Sequence, residues 1–205
     1  MTTGEPRVVG FDLDMTLIDS RQGILASFAA VAAETGVRID PAGVDSRLGV
    51  KLETELAHWF APDEIDAAVA IYRRHYPLLS GPLTSLLPGA CEALAAVRAG
   101  GARAVVISAK FEPTVRATLD ALGLTADGIF GGLHGPEKGE VLATLKAAAY
   151  VGDTPADMAA AVQAGAFGVG TATGSFTAAE LSEAGAGVVL GSLTEFPAWY
   201  AGFAG

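Results

Sequence analysis

The sequence predicts an α/β protein in which a doubly wound parallel sheet carries an inserted all-helical domain. Three observations lead there. Short apolar runs alternate with longer helical stretches after about residue 88. The short runs lack polar alternation, as strands covered on both faces do. The stretch 18–87 breaks the rhythm with helices alone.

In order, RVVGF (7–11) reads as the first buried strand. RQGILASFAAVAAETG (21–36), ETELAHWF (53–60) and PDEIDAAVAIYRRHYPLL (62–79) follow as helices, with no strand expected among them. Trp59, Phe60, Tyr72 and Tyr76 supply an apolar core for this segment, and Pro82 and Pro88 mark its exit. The later strands are AVVIS (104–108), DGIF (127–130), AYVGD (149–153), GVGTA (168–172) and GVVLG (187–191). Between them PGACEALAAVRAG (88–100), EPTVRATLDALG (112–123), KGEVLATLKAA (138–148) and TPADMAAAVQAG (154–165) carry apolar residues at helical spacing, and several end in Gly. The expected division is a core of 1–17 and 88–205 around a helical insertion of 18–87.

The 205 residues can bury one core, or a core plus a small insertion, and 51% of them are apolar. No apolar run approaches the roughly 20 residues of a membrane-spanning helix. The N-terminal MTTGEPRVVGFDLD has acidic residues where a signal peptide has its apolar stretch, and the single Cys91 cannot form an internal disulfide. Both features predict a cytoplasmic protein. A net charge of −10 argues against nucleic-acid binding. A site for an anionic substrate must then make its own positive field from a metal or a few lysines.

Ligands of doubly wound sheets bind beyond the carboxyl ends of the strands. Asp12, Asp14 and Thr16 follow the first strand, Ser108, Ala109 and Lys110 the next core strand. Lys138 ends the loop beyond the third, and Asp153 and Asp157 follow the fourth. Four carboxylates gather in one place only with a cation to offset their repulsion, and hard oxygen donors select Mg²⁺. In extended backbone Asp12 and Asp14 share a side. One can bind metal and attack phosphorus while the other, pulled away by the turn, handles protons. Ser108 and Lys138 would hold phosphoryl oxygens, with Lys110 a second candidate cation. His58, His75 and His134 have no partner at metal-ligand spacing.

These motifs resemble those of the haloacid dehalogenase (HAD) superfamily. FDLDMTLIDS resembles its motif I, VVISAK its motif II, Lys138 in GPEKGEVL the motif III lysine, and VGDTPADM the GDxxxD of motif IV. The resemblance implies a Rossmann-like HAD core with a C1 cap, closest to phosphoglycolate-phosphatase-like members. It implies a Mg²⁺-dependent phosphatase that hydrolyses a small phosphorylated metabolite through an aspartyl-phosphate on Asp12. Asp14 would be acid and base, and Mg²⁺ would be held by Asp12, the Asp14 backbone carbonyl and Asp153, with Asp157 a further metal-site carboxylate. Thr16 and Ser108 would donate hydrogen bonds, and Ala109 would stand in the phosphate loop. Arg47 and Lys51 stand where C1 caps present a specificity loop.

Two positions depart from the pattern: Met15 stands where members often have Gly, and Ser108-Ala109 where Thr-Asn is common. Competing readings on the same fold are a β-phosphoglucomutase-like phosphotransferase, a phosphonatase using Lys51 as its Schiff-base lysine, and a dehalogenase, which Asp14 disfavours. A non-catalytic binding protein would have lost core residues, and all are present. No sequence feature marks an oligomer interface.

Overall fold

The chain runs β1 (Val8–Phe11), a short β2 (Ile18–Asp19), then helices α1 (Arg21–Thr35), α2 (Pro41–Ser46), α3 (Leu52–Leu56) and α4 (Ile65–Ser80), and a short β3 (Ser85–Leu86). From there helix and strand alternate: α5 (Ala90–Ala99), β4 (Arg103–Ile107), α6 (Glu112–Ala121), β5 (Gly128–Phe130), α7 (Pro136–Thr144) and β6 (Ala147–Gly152). The series closes with α8 (Pro155–Ala164), β7 (Phe167–Thr171), α9 (Ala178–Glu183), β8 (Val188–Leu190) and α10 (Phe196–Ala204). This computed structural model describes residues 7–204, so the first six residues of the expected core lie outside it.

The six longer strands form one parallel sheet in the order β5-β4-β1-β6-β7-β8. β1 therefore lies inside the sheet, and its four residues are all buried, which is why it reads as an unbroken apolar run. Along β1 the side chains alternate between two cores. Val9 and Phe11 pack with Leu94 and Val97 of α5, Leu119 of α6 and Phe196 of α10. Val8 joins Leu142 of α7 and Ala160 and Ala161 of α8 on the opposite face. The predicted doubly wound α/β architecture is thus the observed one. Among the described residues, no helix is long and apolar enough to cross a membrane.

The helices between β2 and β3 enclose a third cluster of Phe28, Val31, Val44, Leu56, Phe60, Ala68 and Val69. Trp59 and Tyr72 pack against it half-buried, as expected, and the buried Tyr76 stacks on Tyr72 while lining a cavity beneath this segment.

Three details differ from the sequence reading. β2 and β3 pair antiparallel, with Ile18 opposite Leu86 and Asp19 opposite Ser85, although no strand was expected in that stretch. Two residues are too few for a period of two to register. The helix expected over 138–148 stops at Thr144, and Lys146 turns the chain at φ 49 so that β6 starts at Ala147. Ala-rich sequence carries no periodicity to separate the two, and Val8 and Val9 of β1 pair with Ala147 and Ala149, a shift that absorbs the extra residue. The helices α2, α9 and α10 were not expected at all.

Gly89 caps α5 at φ +89, and a Cβ there would lie 2.6 Å from the Leu193 carbonyl oxygen and closer still to the following peptide. Both backbone strain and collision oppose any side chain at this junction. Gly89→Ala should destabilise by about 2–3 kcal/mol. Thermal unfolding should show it as a fall in Tm of about 4–10 °C.

Candidate active site

At the carboxyl end of β1 the Asp12 N–H still donates to the Val151 carbonyl of β6, at 2.8 Å. The chain then leaves the sheet. Met15 adopts φ 59 and its N–H bonds the Ile18 carbonyl at 2.7 Å, a tight turn that separates Asp14 from Asp12.

Asp12 sits in a buried cluster. Lys138, in the first turn of α7, sends its Nζ to Asp12 Oδ1 at 2.9 Å and to Asp157 Oδ1 at 2.7 Å. Asp157 lies in the first turn of α8 and is held on every side. The Tyr150 hydroxyl is shared between the Ile107 carbonyl at 3.0 Å and Asp157 Oδ1 at 3.2 Å, while the Thr154 N–H and hydroxyl donate to Oδ2 at 3.2 and 2.6 Å. Thr154 Oγ1 in turn accepts from the Asp157 N–H, so the same pair closes a capping box on α8. Asp153, at the end of β6, accepts from the Thr16 hydroxyl at 3.0 Å. Thr16 therefore faces the carboxylate cluster.

Carboxylate oxygens of Asp12, Asp153 and Asp157 lie within 4.8 Å of one another, and all three residues are buried. One ammonium faces three carboxylates. Burial pushes Asp12 up to about 7; Lys138 works against that rise, and Asp157 and Asp14 add to it. Burial together with the charges of Asp12 and Asp157 raises Asp153 well above the usual carboxylate range. Burial alone would lower Lys138, but Asp12 and Asp157 more than offset it and raise it well above its ordinary value. The cluster is short of positive charge, and its donors are all carboxylate oxygens, so a hard divalent cation fits it. Asp157 enters that fit as charge more than as a ligand, because protein donors already occupy both its oxygens.

Asp14 occupies a separate environment. Its Oδ1 accepts from the Ser20 hydroxyl and from Lys110 Nζ, the latter at 2.7 Å. Lys110 also donates to Tyr76 Oη of α4 at 2.5 Å, and its N–H bonds Ser108 Oγ at 3.1 Å. Burial lowers Lys110, but the charge of Asp14 and contact with Tyr76 leave it raised overall. The two lysines are therefore not rivals, since each serves its own carboxylate.

Asp12, Asp14, Ser108, Ala109 and Lys110 line a cavity of about 480 Å³ beneath the helical segment. Arg47 and Lys51 line its far side, each engaged by an acid: Arg47 forks onto Glu55, and Lys51 bonds Glu137 at 2.8 Å. Asp19 holds the start of α1 by accepting from the Arg21 N–H at 3.1 Å.

Sequence reasoning missed several participants. Tyr150 read as a strand hydrophobe, and nothing local distinguishes its hydroxyl. Ser20 stood within the quoted motif without a role. His134, set aside for want of a metal partner, donates from Nδ1 to the Gly49 carbonyl at 3.0 Å and so ties the two segments together. Gly174 lies so close to Asp153 that any Cβ would overlap its carboxylate.

Removing Lys138 leaves three buried carboxylates facing one another. Lys138→Met should cost about 3–5 kcal/mol. That corresponds to a fall in Tm on the order of 10 °C in thermal unfolding without divalent cation. Adding Asp157→Asn to that variant should recover part of the loss.

The comparisons with known proteins agree with this geometry. A family profile described as haloacid dehalogenase-like hydrolase matches residues 9–161. The tyrosine-protein kinase PtkA of Mycobacterium tuberculosis is 31% identical over 120 residues, 58% of this chain but only 41% of that protein. The phosphoglycolate phosphatase of Aquifex aeolicus is 32% identical over 175 residues, covering 78% of this chain and 81% of that one. A haloacid dehalogenase-like family hydrolase from Streptococcus pneumoniae superposes with a TM-score of 0.81 at 25% identity, over 95% of this chain and 98% of the other. A strand-end Asp pair, a buried lysine and a GDxxxD loop meeting at one sheet edge, together with a profile that spans most of the chain, place this protein among the haloacid dehalogenase-like hydrolases.

Proposed function

We propose that this hydrolase is a Mg²⁺-dependent phosphatase acting on a small phosphomonoester in the cytoplasm. The observation that carries the reading is the separation of Asp12 and Asp14. One lies in a cation-deficient carboxylate cluster, the other beside Lys110 and Ser20 on the same cavity. The phosphatase named among its relatives supports it. Residues 1–17 and 88–205 form the catalytic core in this reading, and 18–87 the C1 cap above it.

Asp12 and Asp153 would hold Mg²⁺, with the Asp14 backbone carbonyl, and Asp157 would add negative charge behind them. When bound, the ion offsets the repulsion between carboxylates and phosphate and stabilises charge as it develops. Asp12 attacks phosphorus as the bond to the leaving alcohol breaks, and Asp14 gives that oxygen its proton. Water then attacks the same phosphorus, Asp14 takes its proton, and the Asp12 carboxylate departs from inorganic phosphate. Both hydrogen bonds to Asp14 fall on Oδ1, which leaves Oδ2 to carry the proton. Lys138 orients Asp12, Asp157 orients Lys138, and Thr16 orients Asp153. Ser108, Ala109 and Lys110 present the loop that meets the phosphoryl oxygens, and Arg47 and Lys51 close the far side.

Phosphate release from a panel of phosphorylated metabolites should require Mg²⁺ and stop with EDTA. Asp12→Asn should lose at least about 10³-fold in kcat with its fold intact. Release that survives both changes would sink the proposal. Saturating Mg²⁺, at about 100 times its Kd, should stabilise the protein by about 2.7 kcal/mol. Scanning fluorimetry should read this as a Tm rise of about 5–10 °C, and Asp153→Asn should remove most of it.

A further inference from the structure

We infer that the phosphomonoester taken by this site carries a neutral, apolar leaving group of aryl or branched-alkyl size, and not a short carboxylate. The inference rests on the phosphatase reading and names its substrate class.

The cavity of about 480 Å³ is far larger than a phosphate with a two-carbon tail, and its upper wall is apolar. Phe28, Val44, Leu48 and Tyr72 contribute that wall. Within it the Phe28 and Tyr72 rings lie 5.1 Å apart, and Tyr72 stacks on Tyr76 at 5.5 Å and 21°. The row ends at Tyr76, whose hydroxyl shares Lys110 with Asp14. The apolar wall therefore begins beside the group that would protonate the leaving oxygen.

Charge points the same way. Arg47, Lys51, Arg73 and Lys110 are the cations lining the cavity, and each is already paired with an acid. Arg47 grips Glu55 through two bonds of 2.8 and 2.7 Å, and Glu55 is only 3% exposed. Drawing Arg47 away would strand a buried carboxylate. Arg73 bonds Glu53 at 3.0 Å and lies over the Phe111 ring. An incoming carboxylate would have to share these cations with the acids that already hold them, and would meet Asp14, Glu53 and Glu55 on the same lining. An apolar group displaces only water.

The test compares benzyl phosphate with phosphoglycolate on the wild-type protein with saturating Mg²⁺, with Asp12→Asn as the blank. Both esters have primary-alcohol leaving groups, so the cavity and not intrinsic reactivity sets the order. We expect kcat/KM for benzyl phosphate to be higher by at least about 10-fold. Equal or better turnover of phosphoglycolate, dependent on Asp12, overturns this inference and leaves the phosphatase reading standing. Hydrolysis of neither ester overturns this inference, and the metabolite panel then decides the phosphatase reading separately.

Discussion

The ammonium of Lys138 is buried among carboxylates at the carboxyl edge of the sheet, its side chain only 3% exposed. Desolvating a charge this completely costs several kcal/mol unless partners close around it. Asp12 and Asp157 are those partners, and each must itself be held. β1 delivers Asp12, while the turn from β6 into α8 delivers Asp157 with Tyr150 and Thr154 locked against it. β1 and the consecutive elements α7, β6 and α8, far along the chain from it, are thereby brought to one point. The capping box that starts α8 and the hydrogen bonds that aim Lys138 share one carboxylate, so local helix formation and site geometry cannot vary independently.

Around that point the chain keeps two carboxylates, two residues apart, in different surroundings. The device is the turn at Met15. A non-glycine residue at φ 59 carries a strain of about 1–2 kcal/mol. Burial of the side chain at 4% exposure and the short bond to Ile18 offset it. Asp14 is thereby moved from the influence of Lys138 to that of Lys110. Because Lys110 also bonds Tyr76, the hydrogen bonding of Asp14 is linked to the position of α4.

Much of this was legible in the sequence for a definite reason. Parallel strands buried on both faces read as apolar runs, and topology puts whatever follows them at one edge, so Asp12, Asp14, Ser108, Lys110, Asp153 and Asp157 could be gathered without coordinates. What stayed hidden depends on partners distant in the chain. The Tyr150 hydroxyl, the link from His134 to Gly49 and the pairing of Lys51 with Glu137 have no local signature. Arg47 and Lys51 line the cavity, but nothing in their sequence neighbourhood announces that Glu55 and Glu137 already engage them. The start of β6 was misplaced because Ala favours neither period strongly enough to mark where α7 stops.

The small ribbon of β2 and β3 has a wider consequence. Ile18 faces Leu86, and the Leu87 N–H bonds the Leu17 carbonyl at 3.0 Å, so the chain departs from the sheet and rejoins it at adjacent points. Everything between is a loop that enters and leaves through that base, and a few polar bonds such as Lys110–Tyr76, Lys51–Glu137 and His134–Gly49 tie it to the core elsewhere. The entropy of closing such a loop grows only with the logarithm of its length. Over evolutionary time the intervening helices can lengthen, shrink or be exchanged with little penalty to the sheet. A change of length in that one contiguous stretch leaves the parallel sheet, and the carboxylates at its edge, where they are.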